Sequence, residues 1–361
     1  MNDFFEKANL HFKQKLPFVI YKKPNSNQLI GFFQQDDSLN LVKDFSEKGF
    51  VFCSFDGNKN ILIPENTSEI LKSEIEPKSF DLNSELNLDQ VDGDKENFEK
   101  IVTKAIGRIK KNEFDKVVLS RKETILLKKF ELISCFEKLI NTYNTAFCYC
   151  FYHPKIGIWL GATPEQLIQI ENNSFETVSL AGTQKFQNDK KVIWSEKEKT
   201  EQLFVTNYIA ENLDKFSNII AVSESKTIQA GNLLHIKSVI SGKLNYNFEL
   251  KKLLETLHPT PAVCGLPKQI SKKFIIENED YERKFYSGFL GEINLDNKTD
   301  LFVNLRCMEV LFDENKNENE YSNINIYVGC GITKDSVPEK EWEETINKSK
   351  TMKKILDNQI L

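Results

Sequence analysis

The chain has 361 residues, a formal net charge of −5 and 40% hydrophobic residues, 27 of them phenylalanine. That apolar content suffices for a large packed core and excludes global disorder, while the acidic balance excludes a protein built mainly to grip nucleic acid. No stretch of about 18 apolar residues offers a membrane span, and length alone suggests two domains.

The N-terminus, MNDFFEKANLHFKQK, lacks an uninterrupted apolar core of signal-peptide length. Residues 17–64 read as short strands, PFVIYKK, QLIGFF, GFVFCSF and NILIPE, separated by Asn, Gly and Asp turns. A polar stretch from Ser73 to Glu96 has no sustained periodicity and reads as a linker or a long excursion. From Asn97 the pattern changes: NFEKIVTKAIGRIKK has helical spacing and DKVVLSRKETILL reads as a strand. A helix around ELISCFEKLINTY precedes strands AFCYCFY and IGIWLG, then QLIQIE and FETVSLAG meet at an Asn-Asn turn. A helix over 194–214 follows, then strands around NIIAVSES, LLHIKSVISGKL, FYSGFLGEINL, LFVNLRCMEVLF and NINIYVGCGI, with ENKNENEYSN as a hairpin loop. The last helix starts near Pro338. Hairpin-linked strands interleaved with helices predict an α+β architecture rather than a βαβ repeat.

Seven cysteines, scattered in apolar segments without zinc-spaced pairs, read as buried free thiols in a reducing compartment, hence a cytoplasmic protein. Only four of the 48 basic residues are arginines: Arg108, Arg121, Arg283 and Arg306. In a chain that writes lysine almost everywhere, arginine marks places that need a planar two-pronged cation.

Several constellations could carry chemistry. In the last helix Glu341, Glu344 and Lys348 share a face, with Trp342 and Ile346 on a neighbouring stripe that packs inward. In the helix over 194–214, Glu198 and Glu201 lie one turn apart, with Leu203, Tyr208 and Ile209 on the packing side. Two such helices read either as solvated charged faces or as carboxylate donors for a Mg²⁺ that keeps several waters. Glycine-rich GATPE (161–165) and VGCGI (328–332) read as turns after strands, or as places where backbone approaches an anion; no dinucleotide or Walker pattern accompanies them. Strand alternation puts Lys116, Val118 and Ser120 on one face and Val117, Leu119 and Arg121 on the other. Lys116 is then a solvated strand end or, if partly buried, a candidate base. His235 and His258 read as structural, the latter opening a rigid HPTP loop of the kind that walls sites.

In order, KVVLSR (116–121), GATPE (161–165), LAGT (180–183), SEKEKTEQLFV (195–205), LLHIKSVISG (233–242), LHPTPAVCGLPK (257–268), RKFYSGFLG (283–291), NLRCMEV (304–310) and VGCGITKDSVPEKEWEETINK (328–348) resemble the chorismate-utilising enzymes, most of all the isochorismate synthases of menaquinone or siderophore synthesis. The resemblance covers residues 97–361, and implies an anthranilate synthase component I-like fold of mostly antiparallel sheets with helices packed outside. Residues 1–96 would be its variable β-rich N-terminal part, packed into the same body. It implies Mg²⁺-dependent conversion of chorismate to isochorismate by adding water at C2 and removing the C4 hydroxyl. Lys116 would be the general base and Glu165 the general acid, with Glu201 and Glu344 binding Mg²⁺. Gly182, Thr183, His235, Ala262, Tyr286, Arg306, Gly329, Gly331 and Lys348 would contact substrate. FVTNYIAENLDKF lacks the R-N-D-like segment of the aminating relatives, and Ala181 stands where the aminodeoxychorismate type has lysine. No glutaminase subunit is therefore expected, and the chain is read as a monomer. Salicylate synthase, which also eliminates pyruvate, is the alternative, disfavoured by Ala262 where a hydroxyl-bearing residue is usual. A non-catalytic chorismate-binding protein is the third reading.

Overall fold

The computed structural model describes residues 1–78, 80, 92–127, 130–185, 192–230, 233–312 and 322–356. Two large sheets face each other, every strand pair among the described residues being antiparallel. The first runs, in spatial order, β15 (Gly265–Leu266), β7 (Lys116–Leu127), β19 (Ser322–Ile332), β18 (Cys307–Phe312), β9 (Gly157–Thr163), β8 (Phe147–His153), β1 (Phe18–Lys22), β2 (Gln28–Gln34) and β6 (Ser68–Glu74). The second runs β12 (Ser217–Val222), β14 (Leu233–Leu244), β11 (Ser174–Lys185), β10 (Gln166–Glu171), β17 (Lys298–Val303), β16 (Phe289–Leu295), β4 (Gly49–Cys53), β5 (Asn60–Pro64) and β3 (Asn40–Leu41), with β13 (Lys226–Ala230) also pairing with β14. Strands from residues 18–74 thus extend the far flank of both sheets.

Strand alternation explains the layers. Along β8 every residue is buried. Phe147, Tyr149 and Phe151 enter the layer between the sheets, whereas Cys148, Cys150 and Tyr152 face helices outside. The inner layer is aromatic: Phe52 stacks on Phe285 at 4.2 Å between centroids and Phe147 on Phe302 at 4.3 Å. Each such ring contributes about 1.5–3 kcal/mol by leaving water, which is where much of the phenylalanine content is used. Outside the first sheet pack α1 (Asn2–Lys13), α3 (Leu132–Thr142) and the end of α7 (Pro338–Leu356). Outside the second pack α4 (Glu196–Leu213) and α5 (Leu250–Leu257). A further cluster joins α2 (Asp92–Lys110), α6 (Lys268–Asn278) and Trp342 of α7 to Val117 and Leu119 of β7. The α+β architecture of antiparallel sheets with helices outside is as expected. Described cysteines are all free and buried, and no described helix is long and apolar enough to cross a membrane.

Three expectations need correction. VGCGI is no turn: it lies inside β19, where Gly329 pairs with Ser120 and Gly331 with Val118. Gly161 of GATPE is likewise within β9, the turn falling at Pro164 and Glu165. Leu203 is 55% exposed rather than on the packing side of α4. That side carries Gln202, Val205, Thr206 and Ile209, because the helix is joined to its sheet partly through polar groups. The Gln202 amide donates to Ser179 Oγ (3.0 Å) and Ser238 Oγ (2.9 Å). Of the stretch read as a linker, Ser73 and Glu74 belong to β6 and residues 92–96 to α2, while 79 and 81–91 lie outside the described residues. So do 313–321, most of the segment read as a hairpin loop, although β18 and β19 do pair from Phe312 and Ser322.

Candidate active site

On the flank away from the N-terminal strands the sandwich opens into a cavity of about 550 Å³, within the ~300–1,000 Å³ usual for small-molecule sites. β7 brings Lys116 and Val118, the turn after β9 brings Glu165, and β11 and β14 bring Gly182 and His235. The HPTP loop adds Ala262, the turn before β16 adds Tyr286, and the turn before β18 adds Arg306. β19 supplies Gly329 and Gly331, α7 supplies Glu344 and Lys348, and the first turn of α4 supplies Glu198. The sites read from sequence therefore converge from both sheets, apart from Thr183 and Glu201, whose side chains lie outside the described residues. Ser287, Leu305 and Tyr327 also line the cavity and were not singled out by motif.

The glycines of VGCGI have a local reason. Cys330 points into the helix-side core, so its two neighbours face the cavity. A Cβ on Gly331 would sit 3.0 Å from Lys116 Cε, and one on Gly329 would sit 2.7 Å from the Leu119 carbonyl and 2.9 Å from the Tyr286 hydroxyl. Bare backbone is what lets the lysine and the tyrosine approach. Lys348 Nζ donates to the Gly329 carbonyl (2.9 Å) and pairs with Glu344 (2.8 Å).

Among the described carboxyls of the cavity, Glu165 is strongly perturbed. Burial lifts its carboxyl to about 7, with Lys116 and Lys348 pulling the other way. A carboxyl poised there is partly protonated near neutrality and can donate a proton. His235 is lowered, first by burial, and its Nδ1 donates to the Gly182 carbonyl (2.9 Å); that bond sets the ring's tautomer.

The four arginines separate cleanly. Arg283 is a buried brace: it pairs twice with Glu279 and donates to the carbonyls of Val263 (3.0 Å) and Val118 (2.7 Å), both cavity residues. Arg121 bonds Thr345 (2.8 Å) and lies over Trp342, and Arg108 pairs with exposed Glu113. Arg306 alone lines the cavity, with Nη1 bonded to Thr351 (3.0 Å). Its φ of 49° and the 60° of Ser287 put two non-glycine residues of the wall in the left-handed region. His258 holds the second of these, its Nε2 donating to the Ser287 carbonyl (2.9 Å). Burial pushes that imidazole down to about 3, so it stays neutral.

The carboxylates suit a hard cation. Glu198 and Glu344 both face the cavity. Glu341, one turn before Glu344, is raised first by burial and also by Glu344, a repulsion that a cation would relieve. All-oxygen donors from α4 and α7 fit a Mg²⁺ that keeps waters, although no group of three or more metal-binding side chains converges among the described residues. Glu198 also closes the capping box of α4, accepting from the Ser195 N–H (2.9 Å), so the S-x-x-E pattern was its signal in the sequence.

A family described as chorismate binding enzyme matches residues 56–357. Isochorismate synthase EntC of Escherichia coli K12 is 30% identical over 267 residues, which are 71% of this chain and 66% of that protein. Anthranilate synthase component 1 of Aquifex aeolicus is 29% identical over 280 residues, 73% of this chain and 53% of that one. The matched stretch thus spans between about half and two thirds of the length of these curated relatives. The crystal structure of a putative 2,3-dihydroxybenzoate-specific isochorismate synthase from Bacillus anthracis superposes with a TM-score of 0.77 at 22% identity, over 97% of this chain and 99% of that one. It shows the same fold. With a family match across most of its length, the chain belongs to the chorismate binding enzymes.

Proposed function

We propose that the protein is an isochorismate synthase, converting chorismate to isochorismate. The observation that carries the reading is the pairing of Lys116 with Glu165 in one cavity, the carboxyl lifted to about 7 by burial. Chorismate is a dianion, and Arg306 and Lys348 supply cationic walls for it. Water adds at C2 while Lys116, as general base, takes its proton. The ring electrons shift, the C4–O bond breaks, and the Glu165 proton leaves with the hydroxyl as water. One water enters and one departs, so the product is an isomer. General acid and base steps are worth about 10²–10⁴-fold each.

Glu201 and Glu344 would hold Mg²⁺, which would neutralise a substrate carboxylate; Glu198 lines the same cavity. Gly182 and Thr183 would line the ring pocket near His235 and Ala262, and Tyr286 would meet a carboxylate beside the backbone of Gly329 and Gly331. Ala262 offers no hydroxyl to the ring, which favours release of isochorismate over pyruvate elimination. Chromatography of products formed from chorismate and Mg²⁺ tests the reading. Isochorismate as the accumulating product supports it. Salicylate and pyruvate in equal amounts would favour the lyase reading, and no turnover the non-catalytic one.

A further inference from the structure

A second, much smaller chamber shares Glu165, Leu180 and Ala262 with the main cavity and reaches back between β10, β11, α4 and the HPTP loop. Its free volume of about 10 Å³ admits the centre of one water molecule, which needs roughly 10–15 Å³ and two to four polar partners. Two polar side chains of its wall are already committed. Thr177 donates to the Leu167 carbonyl (2.6 Å) and Gln166 to Asp300 (2.9 Å). Two remain. The Thr260 hydroxyl belongs to a residue only 8% exposed and, among the described residues, is buried with no hydrogen-bond partner. The Glu165 carboxyl is the other, on a residue that borders both chambers. Thr260 is held in place because its carbonyl accepts from the N–H groups of Val263 (3.1 Å) and Cys264 (3.0 Å). A buried hydroxyl left unsatisfied is costly, and a bridging water removes that cost.

We propose that this chamber holds one ordered water, hydrogen-bonded between Thr260 Oγ1 and the Glu165 carboxyl, and that Thr260 is thereby a positioning residue for that carboxyl. The inference rests on the acid role given to Glu165 above. With one oxygen tied to the water, the other is presented to the main cavity, and the acid is held in one orientation rather than sampling several. Thr260 itself touches no substrate.

The test combines crystallography with steady-state kinetics on the full chain. Density for a water in the chamber is expected in the wild type and in Thr260→Ser, which keeps the hydroxyl, and is absent in Thr260→Val, which keeps the shape. Thr260→Val lowers kcat roughly 3- to 10-fold, the worth of one hydrogen bond, with KM unchanged. Thr260→Ser stays within about twofold of wild type. A dry wild-type chamber, a Thr260→Val enzyme with full kcat, or equal losses in both variants would overturn the proposal. Should Thr260→Val fail to fold, the wild-type density decides alone. That density reads the water whether or not Glu165 is the acid; turnover surviving in Glu165→Gln would count against the acid role instead.

Discussion

Adding a single methyl at Gly331 probes the geometry of the proposed base directly. The Cβ of Gly331→Ala would stand 3.0 Å from Lys116 Cε and 3.5 Å from its Nζ, against 3.4–4 Å for ordinary contact. The lysine must therefore retreat by about 0.4–1 Å, and as the end of a flexible side chain it can do so without moving β19. Misplacement of a reacting group by ~1 Å costs up to about 10²-fold. The expected result is a 10- to 100-fold fall in kcat, about 1.4–2.7 kcal/mol of barrier, with KM changed less than about threefold and an unaltered melting temperature. Gly329→Ala is the contrast. Its Cβ meets the Leu119 carbonyl at 2.7 Å, which cannot yield, so that variant loses stability as well as activity. Stopped assays over a range of chorismate concentrations, with thermal melts alongside, separate the two. A Gly331→Ala enzyme with wild-type kcat would refute the role of Lys116 placement.

Other predictions follow from the same geometry. The folded-state carboxyl of Glu165, near 7, lies above the 4.5 of an unburied glutamate, so the stability tied to its proton is whole below 4.5 and lost as pH rises through 7. Glu165→Gln should therefore gain on wild type in melts at pH 8, by at most about 3 kcal/mol, and match it at pH 4; no gain at pH 8 would contradict the burial argument. In wild type kcat/KM should fall as pH rises past about 7, where the acid loses its proton. Arg306→Lys, which surrenders a two-pronged contact worth about 1.5–3 kcal/mol, should raise KM roughly 10- to 100-fold with a smaller effect on kcat; an unchanged KM would remove it from the substrate site. Chelation by EDTA should abolish turnover and added Mg²⁺ restore it, whereas full activity in chelator would sink the roles given to Glu201 and Glu344.

What could be read from the chain and what could not follow from the range of the physics involved. Alternation along β7 was legible because it is local: Val117 and Leu119 do enter the helix-side core while Lys116 and Val118 face the cavity. The contrast among four arginines was legible for a compositional reason, and only Arg306 lines the cavity. VGCGI was misread as a turn because the need for its glycines lies on β7, some two hundred residues earlier, in Lys116 and Leu119. Leu203 was misplaced because an apolar residue was taken to mark the buried face, whereas α4 docks through Gln202 and Thr206 onto Ser179 and Ser238. The N-terminal segment was read only for a leader, although Phe4, Ala8 and His11 have the spacing of the buried face that α1 shows. Thr260 carried no signal at all, since a missing partner is visible only when its neighbours are in place.

In the proposed reaction solvent water, deprotonated at Lys116, becomes the new hydroxyl at C2. Mass spectrometry of isochorismate formed in ¹⁸O-labelled water tests it most directly. The expected result is one heavy oxygen per product molecule, located at C2. Unlabelled isochorismate would mean that the hydroxyl migrates within the substrate, and would contradict the roles given to Lys116 and Glu165 together.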